Sequence, residues 1–168
     1  FTEIDNVYSY DAFSYSNFTN QPGIRFLTNN TKTTLSGTFA DDVFIGGAGD
    51  DIFGGSNNNS IVDADVFWGG TGNDTLTGYA GNDTYVFQEG HGQDVINGNY
   101  ERAGENNIIK FIDIKETDVT FTRNDYDLII RHNNGADSLT IKNYYWDSVL
   151  PTYSLQFANS IVTNITGT

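Results

Sequence analysis

A glycine- and aspartate-rich segment between residues 37 and 97 repeats with a period of nine residues, and this repeat constrains the fold most strongly. In each block of nine, an aspartate occupies the sixth place and a large apolar residue the eighth. The aspartates are Asp42, Asp51, Asp65, Asp74, Asp83 and Asp94, and the apolar residues are Phe44, Phe53, Phe67, Leu76, Tyr85 and Ile96. A repeat of this kind indicates a solenoid, in which each unit packs against its neighbours.

The register of the repeat is interrupted in the third block. Residues 55–59 read as an insertion, and the register returns at Ser60. The third block then has Ser60, Ile61 and Asp63 at the places where other blocks have glycine. Because insertions in solenoids form loops, we expect residues 55–59 to bulge out of the array.

Each block divides into a six-residue turn and a three-residue strand. Glycines in the turn permit backbone angles that are closed to other residues, so the turn is tight. Such a turn directs carbonyl oxygens inward and ends in a carboxylate, and calcium takes about six to eight oxygen ligands of both kinds. The apolar residue in the middle of each strand faces the side opposite to its two neighbours. The spacing therefore predicts calcium sites at the turns and an apolar core between the strands.

The pattern G-G-x-G-x-D-x-U-x, with U a large apolar residue, resembles the RTX calcium-binding nonapeptide family. Residues 46–54 and 69–77 match it at every specified position, whereas the first, third and sixth blocks depart from it. The resemblance implies a parallel β-roll, in which successive strands fall on alternate sheets and each turn meets the turn two blocks later. One row of turns would contain Asp42, Asp65 and Asp83, and the other row Asp51, Asp74 and Asp94.

The resemblance also implies about two to four calcium ions, each between neighbouring turns of a row. The predicted ligands are the six aspartates and further turn residues: Gly46, Gly47, Gly49, Asp50, Gly69, Gly70, Gly72, Asn73, Gly81, Asn82 and Gly92. Asp74 joins the most complete turns and is expected to serve two sites. Asp42 faces the interrupted block, so its site is expected to be weak or empty.

Residues 1–34 are rich in aromatic and polar residues and contain no nonapeptide. The outer strand positions of alternate blocks, such as Val43, Val66 and Trp68, are apolar, and such a surface is normally covered or used for binding. We therefore expect residues 1–34 to form a covering segment on this face, with Trp68 buried beneath it. The same aromatic residues would also suit a glycan-binding surface.

Residues 98–168 contain less glycine and more alternating β-branched residues, which predicts a β-rich cap. The predicted strands are residues 107–111, 119–123, 127–131, 138–141, 154–157 and 161–163. This order resembles the cap that follows the last repeat block in RTX toxins of the haemolysin type. The sequence thus predicts an all-β fold with a covering segment at 1–34, a calcium-binding β-roll at 35–97 and a cap at 98–168, which together form one cooperative module.

The composition excludes several classes of partner and site. A formal net charge of −14 makes nucleic acid and anionic membrane surfaces poor partners. The chain has no cysteine, which excludes disulfides and thiolate metal sites, and no apolar run long enough to span a bilayer. It also has no methionine, so we expect it to be part of a larger parent protein.

No catalytic constellation is evident, and the sequence predicts a protein that is not an enzyme. His91 and His132 are the only histidines, and neither lies in the HExxH context of a zinc protease. The pairs at 41–42 and 50–51 could act as the acid and base of a glycosidase, but adjacent acids on a glycine turn fit calcium ligation better.

The function that the resemblance implies is that of a calcium-binding RTX module in a secreted bacterial protein of toxin or adhesin type. It would be unfolded at low calcium and would fold on binding calcium after type I secretion to the extracellular side. The alternative is a calcium-dependent carbohydrate- or surface-binding module attached to a carbohydrate-active enzyme or adhesin. The aromatic segment 1–34 and Trp68 support this alternative, with a glycan or host surface as the partner.

Overall fold

The structure is a computed structural model, and it describes residues 23, 25–57, 62–98, 104–146 and 152–163. Fourteen strands lie within the described residues. They are β1 (Arg25–Leu27), β2 (Thr34–Ser36), β3 (Val43–Ile45), β4 (Ile52–Gly54), β5 (Val66–Trp68), β6 (Thr75–Thr77), β7 (Thr84–Phe87), β8 (Gln93–Ile96), β9 (Asn106–Phe111), β10 (Val119–Asn124), β11 (Asp127–His132), β12 (Ser138–Ile141), β13 (Thr152–Gln156) and β14 (Ile161–Thr163). A short 3-10 helix, Glu116–Asp118, precedes β10. In this part of the chain, no helix is long and apolar enough to cross a membrane.

The strands form two seven-stranded sheets that face each other. The first sheet has the order β1-β3-β5-β7-β9-β13-β14, and the second has the order β10-β11-β12-β8-β6-β4-β2. From β1 to β9 the chain alternates between the sheets, and each strand from β1 to β7 pairs in parallel with the strand two places later. For example, Val43 is in register with Val66, and Ile52 with Thr75. The predicted all-β class and parallel β-roll are confirmed.

The core lies between the two sheets and is formed by the eighth-place side chains. All six of them, from Phe44 to Ile96, are 0% exposed. In the first sheet they stack as a ladder: Phe44 lies 4.9 Å from both Phe26 and Phe67, and Phe67 lies 5.4 Å from Tyr85, between ring centroids. Full burial of a large apolar side chain stabilises a fold by about 1.5–3 kcal/mol, so this register is strongly specified.

The start of the described chain continues the roll and does not cover it. β1 pairs in parallel with β3, and β2 pairs in parallel with β4, so both strands add rungs to the N-terminal edges of the sheets. Residues 25–34 are therefore not the covering segment that the aromatic composition predicts. The prediction for residues 1–22 and 24 lies outside the described residues, and Trp68 is half-buried.

The insertion in the third block begins later than the sequence predicts. The Gly55 backbone N–H donates to Thr77 O at 2.9 Å, as the first-place Gly46 donates to Trp68 O at 2.7 Å. Gly55 and Ser56 are both buried, so Gly55 is the first residue of the third turn and not part of a loop. The prediction of an insertion starting at residue 55 is wrong. Residues 58–61, which separate this start from the rest of the block, lie outside the described residues.

The C-terminal strands extend the same two sheets. β9 and β13 continue the first sheet in parallel beyond β7, and β12 joins the second sheet in parallel beside β8. β10 and β11, which overlap the predicted strands 119–123 and 127–131, form an antiparallel hairpin, and β14 pairs antiparallel with β13. The sheets thus continue without a break across the predicted boundary at residue 97, and the buried side chains of roll and cap form one core.

Candidate metal centre

The turns between the sheets line up in two rows, as the family resemblance implies. In the first row, the backbone N–H of each sixth-place residue donates to the Oδ1 of the next: Asp42 to Asp65 at 2.8 Å, Asp65 to Asp83 at 2.9 Å, and Asp83 to Asn107 at 2.8 Å. In the second row, Thr33 donates to Asp51 at 2.7 Å, Asp51 to Asp74 at 2.7 Å, and Asp74 to Asp94 at 2.8 Å. One oxygen of each of the carboxylates of Asp51, Asp65, Asp74, Asp83 and Asp94 therefore ties two turns together.

The second oxygen, Oδ2, distinguishes the central turns from the end turns. The Oδ2 atoms of Asp65, Asp74 and Asp83 are buried and have no hydrogen-bond partner among the described residues. We call these three atoms the bare oxygens. A buried carboxylate oxygen without a partner is unfavourable, because the group has lost its hydration and gained nothing in exchange. A bound cation would supply the partner that the bare oxygens lack.

The sixth-place residues at the ends of the rows differ, because the protein itself supplies a polar partner. Thr38 donates to Asp42 Oδ2 through its backbone N–H at 2.5 Å and its hydroxyl at 3.1 Å. The Thr28 hydroxyl donates to Asp51 Oδ2 at 3.2 Å, and the His91 ring Nδ1 lies 2.7 Å from Asp94 Oδ2.

A first-place glycine lies beside each bare oxygen and allows it to approach the backbone. A Cβ atom on Gly55, Gly69 or Gly78 would lie 2.2, 2.0 or 2.0 Å from the Oδ2 of Asp65, Asp74 or Asp83. Any side chain at these places would displace the carboxylate. Close contact with the carboxylate thus requires glycine at the first place of each of these turns. The same requirement holds for the third turn because its first residue is Gly55 and not Ser60.

Neighbouring turns bring backbone carbonyls close to each other's glycines. A Cβ on Gly70 would lie 2.1 Å from Gly47 O, and Gly70 also has a φ of +98°, which favours glycine. A Cβ on Gly72 would lie 2.4 Å from Gly49 O. Carbonyl oxygens of the predicted ligand residues are therefore packed between adjacent turns of the second row.

The electrostatics of the central turns favour a cation. Burial raises the pKa of Asp65 to about 9 and those of Asp74 and Asp83 to about 7, and the charges of neighbouring acids add to this effect. The backbone hydrogen bonds along the rows oppose these shifts and do not cancel them. The surroundings of each carboxylate thus disfavour its charged form. A bound cation would favour the charged form and lower these pKa values.

Asp63 is a site residue that the sequence reasoning missed. It occupies a glycine place of the third block, and both of its carboxylate oxygens are buried without a partner among the described residues. Burial raises its pKa to about 6, and the charges of Asp42 and Asp41 contribute. Its backbone forms a bridge with Gly81 in the next turn of the first row. The signal available in the sequence is an acid two residues before a sixth-place aspartate, which the nonapeptide pattern treats only as a missing glycine.

The fifth-place residues form a second set of ladders, which run in the opposite direction along the chain. Asp50 Oδ1 accepts from Asn73 N at 2.8 Å, Asn73 Oδ1 from Gln93 N at 2.9 Å, and Asn82 Oδ1 from Asn106 N at 2.8 Å. The side-chain oxygens of these predicted ligands thus hold successive turns in register. This explains why an acid or an amide, both of which accept hydrogen bonds, occupies the fifth place in every block but the third, which has Ala64 there.

The donor set fits calcium in its chemistry. Among the described residues, no group of three or more Asp, Glu, His or Cys side chains surrounds one point. Carboxylates alone therefore do not complete a site, and backbone carbonyls would have to supply many of the oxygens. Calcium accepts such mixed oxygen ligands in flexible geometry, whereas zinc and other transition metals favour nitrogen and sulfur ligands that these turns lack.

Two family models match the chain. The model described as "RTX calcium-binding nonapeptide repeat (4 copies)" matches residues 28–62 and 63–94. The model described as "Haemolysin-type calcium binding protein related domain" matches residues 127–164. The first match begins at residue 28, which agrees with the additional turn that leads into β2.

Proposed function

On the premise that this chain belongs to the RTX haemolysin-type family of calcium-binding nonapeptide-repeat proteins, we propose that calcium binding drives its folding. The repeats make it a calcium-binding module, and repeats of this family are found in secreted bacterial proteins. The role proposed for the chain is structural and not catalytic.

The three bare oxygens are the observation that carries the proposal. Asp65 and Asp83 in the first row and Asp74 in the second would hold calcium through these atoms, with carbonyl oxygens of the glycine turns beside them. When bound, calcium supplies the positive charge that the central turns lack. Three central carboxylates support the expectation of about two to four ions.

Without calcium, the fold is opposed by three effects. The bare oxygens lack partners among the described residues, the net charge of −14 causes repulsion, and glycine-rich turns lose much conformational entropy on ordering. Because the unfolded chain has no preformed site, the free energy of binding acts as free energy of folding.

Calcium-coupled folding would also suit export. Extracellular calcium modules bind in a range of about 10⁻⁴–10⁻³ M, well above the calcium concentration of a cytosol. The chain would remain unfolded inside the cell, pass a type I exporter, and fold outside as part of a toxin or adhesin. The −14 charge and the absence of cysteine are compatible with this route.

Circular dichroism of the chain in chelator and at about 1 mM calcium tests the proposal. We expect a largely disordered spectrum without calcium and a β spectrum with it. Magnesium is the control, and it should substitute poorly because it demands a small octahedral shell and loses water reluctantly. Equal β content in chelator and in calcium would refute calcium-driven folding.

A surface-binding role is a second candidate, and an exposed aromatic pair favours it. Trp146 is 64% exposed and packs edge-on against Tyr126, which is 46% exposed, with 4.7 Å between the ring centroids. Exposed aromatic rings of this kind suit the apolar faces of sugars. Retardation of the folded chain on a polysaccharide affinity gel, lost in Trp146→Ala, would support this role.

A further inference from the structure

We propose that His91 takes the place of calcium at the last turn of the second row, so that this turn closes onto the cap without an ion. The proposal rests on the proposed function, because it divides the turns into those that need calcium and those that do not. It concerns residues 88–94, the turn that leads into β8.

His91 supplies to Asp94 what the central aspartates lack. Asp74 and Asp94 are successive members of one row, and both use Oδ1 in the same ladder, Asp94 by accepting from Asp74 N at 2.8 Å. Asp74 Oδ2 is bare, whereas Asp94 Oδ2 lies 2.7 Å from His91 Nδ1. Burial raises the pKa of Asp94, and the contact with His91 opposes that shift. When Asp94 is ionised its Oδ2 can only accept a hydrogen bond, and in that state Nδ1 carries the hydrogen and donates it.

The His91 ring is held in place and shielded from solvent. His91 is 3% exposed, and its ring packs against the Phe87 ring with 5.1 Å between centroids. A donor fixed in this position satisfies the oxygen and directs its hydrogen toward the place where a cation would approach. Binding of an ion to Asp94 Oδ2 would require the ring to leave a packed interior site.

The far side of the same turn is also closed by protein groups. Asp137, which is 4% exposed, accepts from Gly90 N at 2.7 Å and from Gly92 N at 3.1 Å. Asn134 Nδ2 donates to the same Asp137 carboxylate at 2.7 Å. The turn at 88–94 is therefore tied directly to the turn before β12.

The first row ends in a related way. Asn107 continues the ladder by accepting from Asp83 N at 2.8 Å, and its amide Nδ2, which is buried without a hydrogen-bond partner among the described residues, replaces the second oxygen of an aspartate. An amide nitrogen is a donor and does not bind cations. Both rows thus end beside the cap in a group that does not attract calcium, and the calcium-dependent part of the fold stops at these two residues.

Counting bound calcium on the full chain by titration calorimetry tests the proposal. Asp94→Asn and Asp74→Asn are matched variants, because both preserve one side-chain oxygen for the ladder and remove one charge. We expect Asp94→Asn to bind as many ions as the wild type and Asp74→Asn to bind about one fewer. Loss of an ion in both variants would overturn the role of His91 and leave calcium-driven folding intact. If neither variant loses a calcium ion, the proposed calcium site at Asp74 is contradicted.

Amide hydrogen exchange of the wild type provides a readout that does not depend on the variants folding. As calcium is lowered through the folding transition, we expect the Gly90 and Gly92 amides, whose hydrogens Asp137 accepts, to stay protected to lower calcium concentrations than the Asp51 amide, whose hydrogen Asp74 accepts. Loss of protection at one and the same calcium concentration for all three amides would overturn an ion-free closure of the last turn.

Discussion

The central sixth-place aspartates have two carboxylate oxygens with different roles. In Asp65, Asp74 and Asp83, Oδ1 accepts a backbone N–H from the preceding turn of the row, while Oδ2 is bare. The hydrogen bond to Oδ1 holds two successive turns together, and the bare oxygen is available to bind an ion. Substitution by asparagine can preserve the first task while it removes the charge that the second requires.

Asp63 is expected to contribute to calcium affinity although it lies outside the repeat pattern. Asp63→Asn removes a buried charge from the first row and should weaken calcium binding roughly tenfold, because one charge pair at an effective dielectric near 20 is worth a few kcal/mol at most. Asp41→Asn is the control, since it removes the same charge from an exposed side chain that can still accept from Ala64 N. Calorimetric titration measures both, and equal affinities for the two variants would contradict a role for Asp63.

At the scale of the element, the turn depends on glycine at its first place as much as on its aspartate. Gly69→Ala would place a Cβ 2.0 Å from Asp74 Oδ2 and only 2.8 Å from the Asp74 Cβ. The carboxylate would have to move, so we expect calcium affinity to fall. Gly54→Ala is the control, because its Cβ would meet nothing closer than Tyr79 Cε2 at 3.3 Å. Calcium titrations followed by circular dichroism compare the two, and a weakening shared by both would show that the effect is not specific to the turn.

The cap strands provide the partners on which the roll ends. β9 pairs with β7, and β12 pairs with β8, in parallel over four residue pairs each. A chain that ends at residue 97 would leave both edges open, together with the buried faces of Tyr85, Phe87 and Ile96.

We therefore expect the chain truncated after residue 97 to stay disordered at calcium concentrations that fold the full chain. The ion-free ends of the two rows at His91 and Asn107 support this expectation. Both lie beside the cap, so the contacts that do not need calcium are lost or left incomplete when the cap is removed. Circular dichroism during a calcium titration of both chains is the measurement. Folding of the truncated chain at the same calcium concentration would show that the repeats are self-sufficient.

At the scale of the whole molecule, acidity and calcium compete for the same carboxylates. In the ion-free fold, burial raises the pKa values of Asp65, Asp74 and Asp83 to about 9, 7 and 7, above the ordinary value of 3.8. At pH values between the ordinary pKa and the raised pKa of each carboxyl group, the folded chain binds more protons than the unfolded chain. The stability of the ion-free fold is therefore greatest below about pH 4 and falls as the pH rises toward 7–9.

In calcium-free buffer, we expect more β structure at about pH 5 than at about pH 8. In saturating calcium the dependence should reverse, because protons displace the ion from the carboxylates as the pH falls. Circular dichroism at the two pH values, with and without calcium, measures this. Calcium binding near pH 7 should also release protons, which calorimetry in two buffers of different ionisation enthalpy detects. Ion-free spectra with more structure at pH 8 would contradict the raised pKa values.

The sequence by itself determined the short strands and their register, and its resemblance to the RTX family implied the parallel roll and the two rows of aspartates. The strands and register follow from local spacing, because an apolar residue at the eighth place must face the core and an aspartate at the sixth place must end the turn. The fully buried Phe44 and Phe53 and the ladder from Asp42 to Asp83 agree with that reasoning.

Only the tertiary structure decided which carboxylates keep a bare oxygen and where the calcium-dependent part ends. Both depend on contacts between turns far apart in the chain, such as the bond from Gly90 N to Asp137, 47 residues away. The nonapeptide pattern describes one block at a time, so it does not show that His91 satisfies Asp94 or that Asn107 extends the first row. It likewise does not show that Asp63 lies buried beside the aspartates, because burial is a property of the packed rows and not of any single turn.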